Sequence, residues 1–303
     1  PVLYLDANAT EPLRPAARAA ALAAMELAGN PSSVHHAGRA ARRVLEEARE
    51  TVATRFGAAP AEVVFTSGGT EANALAIRGL GAGRRVLVGA TEHPAVTAAA
   101  PGAERVPVRA DGTLDVDALE AALRDGPPAL VCLMAANNET GVLHPLPEAA
   151  EACRAAGAIL HVDAVQAAGR LPVSLAALGA DSLAISGHKF GGPKGAGALV
   201  LRPSLHPEAL VAGGGQERGR RGGTEPLPAI AGLAAALAEA TPEAAARLAP
   251  LRDALEAACV KAGARIAGAG APRLPNTTCL ILPGVPAETQ VIALDLAGLA
   301  VSA

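Results

Sequence analysis

The 303 residues, half of them hydrophobic, carry a formal net charge of −3, enough chain for one large core or two domains. That balance excludes a disordered chain, a broad basic field for nucleic acid and an acidic tail; the arginine-rich patches at 39–43 and 218–221 are local. No apolar run reaches the length of a membrane span, and PVLYLDANATEPL holds no charged leader before a hydrophobic stretch, so the cytoplasm is the expected location.

Four cysteines (132, 153, 259, 279) lie far apart without a CxxC. That spacing argues against a metal site and against a disulfide framework, and buried thiols in a reducing compartment are expected. Lysine is scarce: Lys189, Lys194 and Lys261 are the only three, beside 23 arginines. Two of them fall in SGHKFGGPKGAG, and a nucleophilic amine cannot be supplied by arginine, whose guanidinium stays protonated.

In chain order, short β-rich runs end in small or polar clusters and lead into helical stretches: EVVFTSGGTEANALAIRGL, RRVLVGATEHPAV, ALVCLMAANNETG, AILHVDAVQAAG and SLAISGHKFGG. The alternation predicts an α/β fold with a mostly parallel sheet and helices on both faces. Ligands of such sheets bind beyond the carboxyl ends of the strands, so five loops are expected to converge on one crevice. After GGGQERGRRGGTEP a long helical region is predicted over 227–264, with a hinge near 243. The final residues read as strand, loop, strand, helix and a strand barely begun, and the missing initiator Met adds to the expectation of a portion of a longer protein.

TSGGTEAN (66–73) places a Ser-Gly-Gly-Thr turn at a helix start, an arrangement suited to phosphate, or else a plain N-cap by Ser67 or Thr70. Asp163 in HVDAVQ ends a buried strand, where it needs a cationic partner such as a protonated pyridine nitrogen or serves as a helix cap; Gln166 could share that site. Lys189 ends a predicted strand, where desolvation would lower its amine pKa, unless it is an ordinary solvated lysine. His93 in TEHPAV could lie on a pyridine ring and move protons, or be a satisfied loop histidine. Asn138 offers an amide and His188 a phosphate donor. A phosphate cradle, an acid for a ring nitrogen and an amine for an aldehyde together describe pyridoxal phosphate (PLP).

YLDANAT, NPSSVHHAGRAAR, FTSGGTEANALAI, TEHPAV, NNETG, HVDAVQ, SGHKFGGPKG and RGGTEP, in that order, resemble the NifS/IscS-type cysteine desulfurases, class V aminotransferase-fold PLP enzymes. The resemblance implies the PLP-dependent transferase fold type I, with a large PLP-binding domain at 14–243. A smaller α+β domain would comprise 1–13 and 244–303, its C-terminal part expected to be missing. Lys189 matches the Schiff-base lysine, Asp163 the partner of the pyridine nitrogen, His93 the stacking acid/base, Gln166 the group near the phenolic oxygen, and Asn138 a cofactor or substrate amide. Gly69, Thr70, Ser186 and His188 match phosphate contacts, and Thr224 matches one that crosses from the second subunit of a homodimer.

The implied reaction removes sulfur from L-cysteine, giving L-alanine and an enzyme persulfide for an acceptor protein, in iron–sulfur cluster or thio-cofactor and tRNA thiolation chemistry. Selenocysteine or cysteine-conjugate lyase activity on the same fold, or a PLP-binding scaffold without activity, are the alternatives. None of the four cysteines matches the family's nucleophile, and Cys279 reads as core on a small-domain strand, so these 303 residues are expected to bind PLP and cysteine without accumulating a persulfide.

Overall fold

The computed structural model describes residues 2–124 and 126–303. In chain order its strands are β1 (Leu3–Tyr4), β2 (Val63–Thr66), β3 (Arg85–Gly89), β4 (Glu104–Val106), β5 (Ala129–Met134), β6 (Ile159–Asp163), β7 (Ser182–Ser186), β8 (Gly197–Leu201), β9 (Arg265–Ile266), β10 (Leu280–Ile281) and β11 (Leu299–Ala300). Seven of them form one sheet in the order β2-β8-β7-β6-β5-β3-β4. Neighbours from β4 to β7 run parallel, with Met134 opposite Asp163 and Asp163 opposite Ala184. The predicted α/β layout is therefore present.

β8 departs from the parallel pattern, running antiparallel to both β7 and β2. Only residues 187–196 separate β7 from β8, too few for the crossover that a parallel return requires. The chain turns back at once, and the turn carries both Lys189 and Lys194.

The helices are α1 (Pro15–Met25), α2 (His36–Phe56), α3 (Gly69–Leu80), α4 (Pro94–Thr97), α5 (Val116–Arg124), α6 (Leu146–Ala155), α7 (Leu175–Leu178), α8 (Leu227–Glu239), α9 (Pro242–Ala246), α10 (Ala249–Lys261) and α11 (Ala287–Leu296). Successive strand residues point to opposite faces, and the core divides accordingly. Phe65, Leu87, Val131, Leu133, Leu160 and Val162 pack with α1, α2, α5, α6 and α8 on one face. Val64, Val88, Leu130, Ile159, Ala184 and Leu199 pack with α3 and α4 on the other.

The helical region predicted over 227–264 is broken into α8, α9 and α10. Pro242 stands at the start of α9, where its missing N–H costs nothing and its ring fixes the first turn, and Thr241 caps it by accepting from the Ala244 N–H at 3.2 Å. Toward the C-terminus β9 and β10 pair antiparallel, α11 follows, and β11 returns to pair parallel with β1, Leu3 opposite Leu299. Among the described residues no helix is long and apolar enough to cross a membrane, and no His/Cys/Asp/Glu cluster could hold a metal ion.

Candidate active site

The loops after β2, β3, β5, β6 and β7 meet at the strand ends, as their positions in the sequence lead one to expect, and enclose a cavity of about 520 Å³. Gly69, Thr70, His93, Asn138, Asp163, Gln166, Ser186, His188 and Lys189 all line it. Thr224 does not line the cavity of its own chain; it is exposed on the loop before α8.

At one end of the cavity α3 begins without a side-chain cap, because its N-cap residue is Gly68. The hydroxyls of Ser67 and Thr70 therefore do not serve as caps. Ser67 donates its N–H to Glu71 Oε2 at 2.8 Å, and Thr66 Oγ1 donates to the Gly68 carbonyl at 2.9 Å, which together shape the turn. Two glycines permit the close approach: a Cβ on Gly69 would lie 2.6 Å from Val165 Cγ2, and one on Gly197 would lie 2.6 Å from the Gly68 carbonyl carbon. Open first-turn N–H groups beside the Thr70 and Ser186 hydroxyls make an anion site.

Asp163 closes β6 and is 7% exposed. Its two oxygens accept only from neutral donors, Asn73 Nδ2 at 2.9 Å and the Val165 N–H at 3.0 Å. Burial raises its pKa, and the two donors, His93 and Lys189 offset that only in part. The carboxylate is thus ready for a cation in the cavity. Behind it the hydrogen bonds continue from Asn73 Oδ1 to His161 Nε2 at 2.8 Å and from His161 Nδ1 to Ser182 Oγ at 2.8 Å. Burial holds His161 neutral, with its pKa pulled to about 3. Glu92 is buried nearby, with Oε1 accepting the Met134 N–H at 2.7 Å and Oε2 unpartnered. Burial, with Asp163 next in effect, pushes its pKa well up, so Glu92 is the protonated member of the two.

Lys189 follows β7 by one 3-10 turn, Gly187–Lys189, rather than ending the strand itself. Its Nζ donates to the Asn8 carbonyl at 2.6 Å and the Ala9 carbonyl at 3.0 Å. Desolvation first, and Arg170 second, lower its pKa below the ordinary lysine value. Gln166 has both amide atoms engaged, Nε2 on the Asn8 carbonyl at 2.9 Å and Oε1 on Arg170, leaving one N–H for a ligand. His188 Nδ1 lies 3.1 Å from Thr10 Oγ1. His93 accepts the Ala95 N–H on Nδ1 at 3.0 Å, capping α4, which leaves Nε2 for the cavity. Asn137 organises its turn by accepting from the Glu139 and Thr140 N–H groups, both at 2.9 Å, and the next residue, Asn138, is presented to the cavity.

Asn8, Asn73, His161 and Arg170, which the motifs do not single out, hold the cavity residues in place, and Lys194 also lines the cavity. Each stands within a quoted motif or one residue beyond it, as a polar group in apolar surroundings, and that was the available signal. None of the four cysteines, all among the described residues, lines the cavity. Cys132 and Cys153 are buried in β5 and α6, the second with its pKa pushed up to about 12 by desolvation. Cys279 is not a core residue on a strand: it precedes β10 and is only half-buried, because that hairpin is two residues long on each side and exposes one face.

The chain matches the family described as aminotransferase class-V over residues 3–303. It is 45% identical to a cysteine desulfurase of Cereibacter sphaeroides, the match covering 99% of this chain and 81% of that protein. The structure of a NifS-like protein from Rickettsia africae superposes with a TM-score of 0.96 at 34% identity, covering 100% of this chain and 88% of the other. A solved SspA in complex with cysteine matches with a TM-score of 0.74 at 31% identity, over 84% of this chain and 77% of the other. With the cavity built as described and these similarities running the length of the chain, the protein belongs to the cysteine desulfurases of the class-V aminotransferase family.

Proposed function

We propose that the cavity binds pyridoxal 5′-phosphate and L-cysteine, and that the residues lining it carry the Cα proton chemistry of the desulfurase reaction, the sulfur passing to a thiolate that is not among them. The observation that carries this reading is Asp163: a buried carboxylate facing the cavity, held by two neutral donors and with no ion-pair partner within bonding distance among the described residues. A pyridinium nitrogen is the partner it fits, and the open start of α3, 

with Gly69, Thr70, Ser186 and His188, fits the phosphate. When bound, PLP supplies an electron sink for charge developing at the substrate Cα.

Asp163 would hold the proton on the cofactor's ring nitrogen, a pairing that would relieve the carboxylate's own desolvation. Lys189 would be the amine that holds the cofactor's aldehyde and the base placed to take the Cα proton, since an amine with lowered pKa is the more available base. His93, with Nε2 not used by the cap, would face the cofactor ring and could move a proton, Gln166 has one N–H left that could reach the phenolic oxygen, and Asn138 would orient cofactor or substrate. The substrate assignment draws on the family and on the relative solved with cysteine. The overall reaction balances as L-cysteine plus a thiolate giving L-alanine and a persulfide on that thiolate; none of the four described cysteines lines the cavity, so the attacking thiolate would have to be brought to it.

A homodimer in which Thr224 reaches the partner's phosphate site accounts for a residue that matches a family phosphate contact yet stands outside its own cavity. The large domain is 14–243, with 1–13 and 244–303 forming the smaller one, and four free thiols fit a cytoplasmic location. The test is exchange of the L-cysteine Cα proton with D₂O, followed by NMR. PLP-loaded protein is expected to catalyse it, and Asp163→Ala to slow it by about two to four orders of magnitude, as for losing a buried charge partner worth about 3–5 kcal/mol. Exchange no faster than with free PLP would contradict the reading.

A further inference from the structure

Arg170 lies between β6 and α7 and is 4% exposed. A guanidinium cannot shed its charge in water, so burying one demands a carboxylate or a full set of acceptors. All five acceptors of Arg170 are neutral oxygens: Asn8 Oδ1 at 2.9 Å, the Ala7 carbonyl at 3.3 Å, the Lys189 carbonyl at 3.1 Å, and both the carbonyl and Oε1 of Gln166. Burial pulls its pKa down to about 10, with Glu11 opposing from a distance. A purely structural role would not require this arrangement, since an apolar side chain of similar volume can fill a buried position without the desolvation cost of a charge.

The acceptors share one property. Each belongs to Lys189 or to a residue at or beside the group that holds its amine: the Asn8 carbonyl accepts from both Lys189 Nζ and Gln166 Nε2. Arg170 therefore grips Lys189 at its backbone directly and at its amine through Asn8. Asn8 in turn donates to the Asn138 carbonyl at 3.1 Å and to Thr277 Oγ1 at 3.0 Å, tying the same point to two more loops.

We propose that Arg170 is a positioning residue that holds the Lys189 amine, Asn8 and Gln166 in one arrangement at the cavity. Its fixed charge also opposes protonation of the amine it positions. Around that amine, Asp163 from β6 and Asp6 from the N-terminal segment favour the charged form, while Arg170 disfavours it. His93, His188 and Lys194 complete the titratable groups lining the cavity. Desolvation and Arg170 outweigh the two carboxylates. The proposal rests on Lys189 being the working amine of the cavity.

Reductive methylation with ¹³C-formaldehyde labels the three lysines and the terminal amine; the lysine resonances are told apart by single Lys→Arg variants, and their pH midpoints can be read in the full chain freed of cofactor. Lys189 is expected to titrate lowest. Arg170→Met should raise its midpoint by about one unit, a tenfold change in neutral amine, without moving Lys194 or Lys261, and Arg170→Lys should largely keep the parent value. Where Arg170→Met fails to fold, Asn8→Ala cuts the same link from its half-buried end and should raise the Lys189 midpoint in the same direction. A Lys189 midpoint unchanged by Arg170→Met and Asn8→Ala, or moved as far by Arg170→Lys as by Arg170→Met, would overturn the proposal. Failure of the chain to bind PLP would instead count against the functional reading, because this titration needs no cofactor.

Discussion

Asp163 and Glu92 are two buried carboxyl groups at the end of the same sheet, and burial raises the pKa of both, Glu92's the further. Asp163 has a donor on each oxygen, whereas Glu92 has one oxygen without a partner. Glu92 is held protonated by burial, with its pKa well above the ordinary value. A carboxyl whose pKa rises on folding contributes stability in full below its unfolded value near 4.5, and that contribution is lost as pH rises toward the folded value. Glu92→Gln removes this dependence. Its stability relative to the parent is therefore expected to grow by about 1.4 kcal/mol per pH unit above pH 4.5 until the folded pKa is passed. Urea unfolding at pH 5, 6 and 7 measures it, and a pH-independent difference would show that Glu92 ionises inside the fold. At this scale Lys189 and Asp163 were legible in the sequence, because scarce or costly side chains stand just after β-rich runs. Asn8 and Arg170 stand out locally only as polar groups beside apolar neighbours, and what they hold comes from an approach across more than 160 residues that no local pattern records.

The loop that precedes α8 is held to the sheet by a buried ion pair. Arg49 of α2 meets Glu217 through two bonds of 2.7 Å, Glu217 also accepts the Phe65 N–H of β2 at 2.8 Å, and Arg49 lies over the Phe65 ring at 4.9 Å. Glu217 and Arg218 both adopt positive φ, 48° and 58°, an unfavourable conformation for such residues that the clamp sustains. Arg221 adds a second anchor on Glu71 at 2.8 Å, in the first turn of α3. Removing one member of a buried pair strands the other, so Glu217→Ala should destabilise the protein by about 3–5 kcal/mol and raise hydrogen exchange across 213–223. Protection of that loop equal to the parent's would mean the glycine-rich segment is held by something else. The β-rich runs and helix starts were readable from periodicity and small-residue clusters. The antiparallel β8 was not, because its direction follows from the short span after β7, and the breaks around α9 depend on Pro242 and its Thr241 cap within an otherwise continuous apolar pattern.

At the scale of the whole molecule, the cavity draws on five strand-end loops and on the N-terminal segment around Asn8, which also contacts Asn276 and Thr277. β1 and β11 pair, so the two ends of the described chain lie together and the segment that holds Lys189 is tied to both. The remaining gap is Thr224. A dimer that brings the partner's Thr224 to the phosphate end would complete the site, so sedimentation equilibrium should give a homodimer, and Thr224→Ala should weaken PLP binding despite lying outside its own cavity. A monomer with full PLP occupancy would remove that inference.

The central claim is that Lys189, rather than the neighbouring Lys194 that also lines the cavity, carries the cofactor. Borohydride reduction of the PLP-loaded protein, followed by digestion and mass spectrometry, tests it most directly. The account predicts a stable pyridoxyl adduct on the peptide containing Lys189, with loss of the visible band, and no adduct in Lys189→Ala. An adduct on Lys194 or Lys261, or a Lys189→Ala protein that still gives a reducible, covalently fixed chromophore, would contradict it.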